Sequence, residues 1–468
     1  MEKCEHVIVL MLENRSFDHM LGFLEHEGPD SFPGLTGTES NPLGGANVTV
    51  TPSASEIMAV GPGHAHADIM YQLTRRSGVV RGPYNPTNDG FADNYREVYR
   101  NAAGEDGHGA EVMRCLTGER APVLHHLARE YAVCTRWFSS VPGMTQPNRH
   151  FVHAATSDGL VDNKLRPLTR DTIYQRLQSA GRSWRLYLGG ASTIMQFPWL
   201  NSGFRRRHRR SLGRLLKDIR RGDLPDYSFV DPDHFFWFSN SQHPSRNDKD
   251  GEDFRAGEKL IADIYNALVA NPSLFEKTVF VVTYDEHGGF FDRCPPPEGA
   301  SVHPPDDKTA KFAFDLLGAR VPTVIVSPWI DRGRVDDTVY DHASVPATVR
   351  AAFCSSENPL TERDRHANSF LHLLTRTEPR RDCRPASPRP VKGARRPTCE
   401  FSEFQEHLIG TAIEVHRAML NEAAGANMET YNRVRWWGEG HAALRHEIAD
   451  RHELEKFVRH VSAAYVDG

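Results

Sequence analysis

The chain has 468 residues, of which 39% are hydrophobic and 25% charged, with a formal net charge of −5. That is room for one large α/β domain with an appendage, or for two or three ordinary domains, in a soluble globular protein slightly on the polar side. The charge argues against a globally basic nucleic-acid binder, and no nucleic acid is expected because the arginines of 203–222, which could contact one, come with no aromatic-interleaved groove; no stretch reaches the roughly 18–20 continuous apolar residues of a membrane-spanning helix.

In chain order, the first element is a strand over 6–12, HVIVLML, a short continuous apolar run. Glu2 and Glu5 ahead of it, and polar residues directly behind, do not have the layout of a secretory signal. With seven scattered cysteines and no CxxC pair, this points to the cytoplasm or the membrane periphery, or to secretion if a leader is removed. Only Cys383 and Cys399, in a polar segment, stand out as a pair to check for a disulfide; most of the cysteines read as small buried hydrophobes.

Helical patterns come next at 121–132, 172–181 and 256–271, the last ending in Asn-Pro. Further strands read at 278–284, TVFVVTY, and 321–327, VPTVIVS. All three strands look like buried parallel strands, and their alternation with helices implies a mostly parallel sheet covered on both faces. In such α/β sheets ligands gather at the carboxyl ends of the strands. Residues 376–400, rich in Arg, Pro and Lys without periodicity, read as a linker, and 402–424 and 440–464 as helices beyond it.

Two strand ends carry unusual polar clusters. ENRSFDH comes after the first strand and supplies Glu13 and Asn14; DEHGG comes after the second and supplies Asp285, Glu286 and His287. Adjacent carboxylates repel each other, and a solvated loop or a bound cation resolves that repulsion. Two oxygen pairs at separate strand ends of one sheet favour a hard divalent cation, and nearby imidazoles leave zinc open beside calcium, magnesium and manganese. In SVPGMTQPNRHFVHAATSDG (140–159), Thr145 precedes Pro147 and reads as the N-cap of a helix. It is either only a cap or a nucleophile at a helix N-terminus, where a phosphate is attracted and a cation would lower the hydroxyl pKa. His64, His243 and His342 are candidate proton donors among 24 histidines. The stretch 203–222 carries nine Arg or Lys against one Asp with leucines at helical spacing, which suits a solvated helix or contact with an anionic membrane surface. HFFWF (234–238) is either core or a second lipid contact.

Taken together, VIVLMLENRSFDHMLGFL, GLTGTESNPL, SSVPGMTQPNRHFVHAATSDG, VVTYDEHGGFFD, LGARVPTVIVSPWI and YDHASVPATV resemble the phosphoesterase family of phospholipases C and acid phosphatases, with the likeness strongest to non-specific phospholipase C and spanning 5–375. The resemblance implies an alkaline-phosphatase-like α/β sandwich as catalytic domain (1–375), then the linker (376–400) and a small C-terminal helical extension (401–468). It implies one divalent metal held by Glu13, Asn14, Thr145, Asp285 and Glu286, with Thr145 as nucleophile and His64, His243, His287 and His342 around the phosphate. Asn148 and Arg149 become candidates for holding substrate. The activity implied is phospholipase C hydrolysis of phosphatidylcholine or phosphatidylethanolamine through a phosphothreonine, with His243 or His342 protonating the leaving oxygen. A phosphatase of soluble monoesters and a non-catalytic lipid-surface protein are the alternatives. Two departures from the family pattern, Gly61 and Arg293, are expected to bear on head-group preference, and His66 has no assigned role.

Overall fold

The computed structural model describes residues 3–78, 81–164, 166–201, 207–234, 239–244, 252–305, 312–391, 405, 407–412 and 461. Within them the strands are β1 (His6–Leu12), β2 (Ser40–Leu43), β3 (Ala46–Thr49), β4 (Ala132–Cys134), β5 (Trp184–Leu188), β6 (Arg209–Ser211), β7 (Tyr227–Asp231), β8 (Thr278–Tyr284), β9 (Val324–Val326) and β10 (Arg334–Asp336). β2 and β3 form a separate hairpin; the other strands make one sheet in the order β10-β4-β9-β8-β1-β7-β5-β6.

The centre of this sheet is its most apolar part. Every residue of β8 is buried, and β1 is buried from Val7 onward. A strand with no exposed face must be covered on both sides, and two groups of helices do so. Pro122–Glu130, Leu212–Arg221 and Glu252–Val269 pack with one another, as do Thr145–Ala154, Ile173–Ser179 and Ser344–Phe353. β1 runs parallel to both β8 and β7, and β5 parallel to β7 and β6. The mostly parallel sheet expected from the sequence is therefore present. The third expected strand differs in direction: β9 is antiparallel to both β8 and β4. A fully apolar run satisfies two covered faces in either direction, so nothing in VPTVIVS encodes which way it points.

Register positions the site. β1 and β8 pair residue for residue from His6 with Thr278 to Leu12 with Tyr284, so Glu13 and Asp285 emerge side by side. β7 is aligned by Leu10 with Val230, which brings Asp231 to the same end. A second apolar cluster, built from helices His66–Thr74 and Phe91–Ala103 with Phe290, Phe291, Phe312 and Phe314, lies beside these strand ends.

The segment 376–391 is laid against the domain. Ala386 exchanges two hydrogen bonds with Asn266 (2.8 and 2.9 Å), Arg380 bonds the carbonyl and carboxylate of Glu130, and Arg389 pairs with Glu56. Of the expected C-terminal helices, Gln405 and 407–412 are helical, and Leu408, Ile409, Ala412 and Val461 are buried in the main core. The rest of 401–468 lies outside the described residues, as does Cys399. Cys4, Cys115, Cys134 and Cys354 are buried, as expected of small hydrophobes. Among the described residues no helix is long and apolar enough to cross a membrane.

One buried carboxyl group in this framework is held by backbone donors. Glu258 receives the N–H groups of Val123 and Leu124 (2.6 and 3.3 Å), the free donors at the start of helix Pro122–Glu130. Burial outweighs these bonds and pushes its pKa up to about 7. A carboxyl whose folded pKa lies above its unfolded value favours the folded state while protonated, and that advantage disappears as pH rises between the two values. Between pH 5 and pH 8, unfolding free energy of the wild type should fall by about 2 kcal/mol more than that of Glu258→Gln, measured by urea denaturation at both pH values.

Candidate active site

The chain turns sharply as it leaves β1. Asn14 has φ of 57°, a left-handed conformation that Asn tolerates better than most residues. The turn lets the Asn14 N–H donate to Asp285 Oδ1 (3.0 Å) while the Arg15 N–H donates to the Glu286 carbonyl (3.0 Å). After β8 the chain turns again at Gly288 and Gly289, both with positive φ. A side chain on Gly288 would collide with the Asn14 backbone, and one on Gly289 with Gly63 and Pro62. The two glycines thus allow both strand-end loops and the His64 loop to close on one point.

Thr145 reaches that point from a different direction. It is the first residue of helix Thr145–Ala154, and the residue in the cap position is Met144, with no side-chain cap bond. The expectation that Thr145 is itself the N-cap is therefore corrected by one position. Its hydroxyl is not spent on the helix and donates instead to Asn14 Oδ1 at 3.3 Å, fully buried.

Asn148 and Arg149, the candidates for holding substrate, have other partners. Asn148 accepts from Val141 N–H (3.1 Å) and donates to the carbonyls of Val141, Gly143 and Met144 (3.2, 2.8 and 3.1 Å), which shapes the loop ahead of Thr145. Arg149 is fully buried and joins Asp285 Oδ2 (2.9 Å) to Asp231 Oδ1 (2.7 Å), and also donates to the Met11 and Leu12 carbonyls (both 3.1 Å). A helix N-terminus is thereby stapled across the ends of β1, β7 and β8. His66, the first residue of helix His66–Thr74, touches the same loop: its Nδ1 lies 2.5 Å from the Pro142 carbonyl.

Two residues that sequence reasoning passed over complete the group. His234 stands between Glu13 (Nδ1 to Oε2, 2.9 Å) and Asp231 (Nε2 to Oδ1, 3.0 Å). Burial alone would lower its pKa, but the two carboxylates reverse this and raise it to about 10. The signal was in the sequence, since YSFVD ends in an acid as the other two strands do, but the strand itself was not recognised.

The electrostatics divide the three central carboxyl groups. Burial raises all of them, but His234 beside Glu13 holds that group well below the usual range, and His64 beside Glu286 (2.8 Å) lowers that one. Asp285 remains raised, because burial together with the charges of Glu13 and Glu286 outweighs Arg149.

The histidines fall into two sets. His287 and His342 are fully buried and have pKa values lowered to about 4 by burial. His287 Nε2 meets Gln72 Oε1 (2.8 Å). Trp137 donates to His342 Nδ1 (3.3 Å), so His342 Nε2 carries the proton given to the Asp285 carbonyl (2.6 Å). With both nitrogens engaged, His342 holds Asp285 in place and does not suit the role of leaving-group acid. His64 and His243 are partly exposed, with ring centres 6.3 Å apart, while the carboxylates, Asn14 and Thr145 are buried. These two rings, packed edge to face, therefore lie on the solvent side of the group.

Neither departure from the family pattern reaches the site. Gly61 is exposed with nothing near it, and Arg293 is tied to the carbonyls of Pro33 and Gly34 and to Glu39. The basic stretch is described from 207 onward; its helix, Leu212–Arg221, turns Leu215 and Ile219 into the core, with Leu212 and Leu216 packed against it. Lys217, Arg220 and Arg221 are exposed. Residues 235–238 of HFFWF lie outside the described residues.

Among the described residues no group of three or more His, Cys, Asp or Glu is arranged to hold a metal ion. The oxygen donors present form a mixed set: Glu13 Oε1, Asn14 Oδ1, Thr145 Oγ1 and the carboxylates of Asp285 and Glu286. Glu13 Oε1 is buried without a hydrogen-bond partner, and Asp285 is raised by burial and its like-charged neighbours. An orphaned anionic oxygen within an excess of buried negative charge fits a hard divalent cation.

A buried hydroxyl at a helix start, set against carboxylates at the carboxyl ends of a parallel sheet, lies where α/β proteins gather their ligands. The phosphoesterase family model matches residues 4–354, and the chain belongs to that family. It is 34% identical over 454 residues to non-specific phospholipase C5 of Arabidopsis thaliana, covering 89% of this chain and 83% of the relative. It is 29% identical over 405 residues to phospholipase C B of Mycobacterium tuberculosis H37Rv, covering 75% and 73%. A solved structure of an alkaline phosphatase superfamily protein from Vibrio parahaemolyticus overlaps 55% of this chain and 64% of its own, with 15% identity and a TM-score of 0.30.

Arg149 is the residue whose loss the buried geometry tolerates least. Arg149→Met should destabilise the protein by about 3–5 kcal/mol, because Asp231 and Asp285 are left buried without it. Chemical denaturation at pH 7 measures this; a change under about 1 kcal/mol contradicts the stapling role.

Proposed function

We propose that the protein is a phosphodiester hydrolase of phospholipase C type, cleaving glycerophospholipids to diacylglycerol and a phosphorylated head group. The observation that carries this reading is the Thr145 hydroxyl, free of any capping duty, buried at a helix start and donating to Asn14 beside the paired ends of β1 and β8. Family membership and the names of the relatives support the same chemistry.

In this reading Thr145 Oγ1 attacks phosphorus as its proton passes to solvent, the bond from phosphorus to the ester oxygen of the diacylglycerol breaks on the solvent side, and Oγ1 takes a proton back from solvent when water later cleaves the threonine ester. His64, held by Glu286 at Nδ1, gives the leaving oxygen a proton and later takes one from the water that releases the head-group phosphate from Thr145. His64 and His243, on the solvent side, would meet the head of a lipid while the carboxylates and Thr145 stay buried behind them. Partial positive charge at the helix start favours the phosphate beside Thr145. Glu13, Asn14, Thr145, Asp285 and Glu286 would hold one divalent cation, calcium, magnesium or manganese by their oxygen chemistry, which when bound neutralises the phosphate and lowers the hydroxyl pKa. Asn148, Arg149, His287 and His342 keep this arrangement in place from behind. Any hold of 203–222 on an anionic membrane rests on charge alone, since the described leucines of that stretch face the core.

Thr145→Ala should lower turnover of phosphatidylcholine by about 1,000-fold or more, each tenfold being about 1.4 kcal/mol of barrier, while Thr145→Ser retains measurable activity. Diacylglycerol release from mixed-phospholipid vesicles checks it, and a Thr145→Ala enzyme of near-normal rate ends this assignment. The same assay run beside p-nitrophenyl phosphate separates this reading from a monoester phosphatase, which would prefer the soluble monoester. Absence of turnover on every substrate, with vesicle binding retained, is the result expected of a non-catalytic lipid-surface protein.

Lys217→Glu, Arg220→Glu and Arg221→Glu combined should weaken sedimentation with anionic vesicles at low salt and leave hydrolysis of soluble p-nitrophenylphosphorylcholine unchanged. Equal binding of wild type and variant removes 203–222 as a lipid contact.

A further inference from the structure

We infer that His234 is a positioning residue for Glu13, and that Gln405, from the C-terminal segment, holds His234 in place. The inference rests on the proposed cation site. Glu13 has two carboxylate oxygens in different situations: Oε2 lies 2.9 Å from His234 Nδ1, and Oε1 is buried with no hydrogen-bond partner. A carboxylate gripped at one oxygen cannot rotate freely, so the grip decides where the other oxygen points. Glu13 Oε1 thereby remains the available anionic donor in the oxygen set.

His234 is itself fixed from behind. Its Nε2 lies 3.0 Å from Asp231 Oδ1, and the same oxygen takes Arg149 NH1 at 2.7 Å. With one ring nitrogen close to each of two carboxylates, the place of the ring between Glu13 and Asp231 is fixed. Arg149 continues the connection to Asp285, so Glu13, His234, Asp231, Arg149 and Asp285 are linked in sequence across three strand ends.

The main chain of His234 is held from outside the residues matched by the family model. Gln405 Nε2 donates to the His234 carbonyl at 2.7 Å, and the helical residues after Gln405 bury Leu408, Ile409 and Ala412 in the main core. The C-terminal segment thus carries one fastening of the Glu13 support.

The test uses the full chain stripped of metal and titrated with MnCl2 and with CaCl2 by calorimetry, beside steady-state kinetics on p-nitrophenylphosphorylcholine. His234→Ala should weaken cation binding by about 10–100-fold and lower kcat by a similar factor, with KM within about threefold. His234→Gln, which keeps a donor toward Glu13, should fall between the two. Gln405→Ala should weaken cation binding by about 3–10-fold with an unchanged Tm. A folded His234→Ala protein whose cation affinity lies within about twofold of wild type overturns the inference. If His234→Ala does not fold, Gln405→Ala decides by the same criterion. A wild type that binds neither cation also overturns it, while the hydrolase reading is judged separately by its diacylglycerol product.

Discussion

The structure depends on the pairing of β1 with β8. Seven consecutive residues lie in register, and both strands continue directly into acidic side chains, so the backbone ladder that builds the core also forces Glu13 and Asp285 into proximity. Hydrogen bonds and apolar burial along the ladder form whatever side chains lie beyond its end. The like-charge repulsion there is therefore imposed, and the surroundings must compensate it. Arg149 does this for Asp285, His234 for Glu13 and His64 for Glu286. Each carboxylate has its own cationic or ionisable partner, and each partner comes from a different segment of the chain.

This division also separates support from reactivity. Arg149, Asn148, His287 and His342 have their polar groups directed to protein partners deep in the structure, whereas His64 and His243 meet the solvent. Thr145 lies between these layers, buried but with its hydroxyl bonded only to the side chain of Asn14 among the partners described. The proposed role of Thr145 as nucleophile calls for a rigid arrangement behind it, and these partners supply one.

How much of this was legible in the sequence depended on the kind of signal. β1 and β8 announce themselves as unbroken apolar runs ending in polar clusters, so their place in one parallel sheet, with Glu13, Asn14, Asp285 and Glu286 at its strand ends, came from physical reasoning, while their direct pairing did not. Thr145 was found through the helix start implied by Pro147, displaced by one position because the cap is a methionine, which has no side-chain bond to make there. β9 kept its place and not its direction, since burial on both faces is indifferent to direction. His234 and Asp231 were missed because β7 is only five residues long, with a serine and a tyrosine diluting its apolar pattern. Arg149 and Asn148 could be seen as important residues, but not as supports: whether a buried polar side chain faces a ligand or a carbonyl is a property of the packed structure.

The C-terminal fastenings bear on where the working unit ends. Arg389 pairs with Glu56, whose carbonyl receives Arg15 NH2 at 2.6 Å, and Gln405 reaches the carbonyl of His234. A fragment cut at residue 354 would retain Thr145, the acidic pairs and the four histidines, and yet be missing two braces that converge on the neighbours of Asn14 and Glu13. The limits of the family model and the limits of mechanical completeness thus diverge in this chain, and a swap of tails between relatives would carry part of the scaffolding of the candidate site with it.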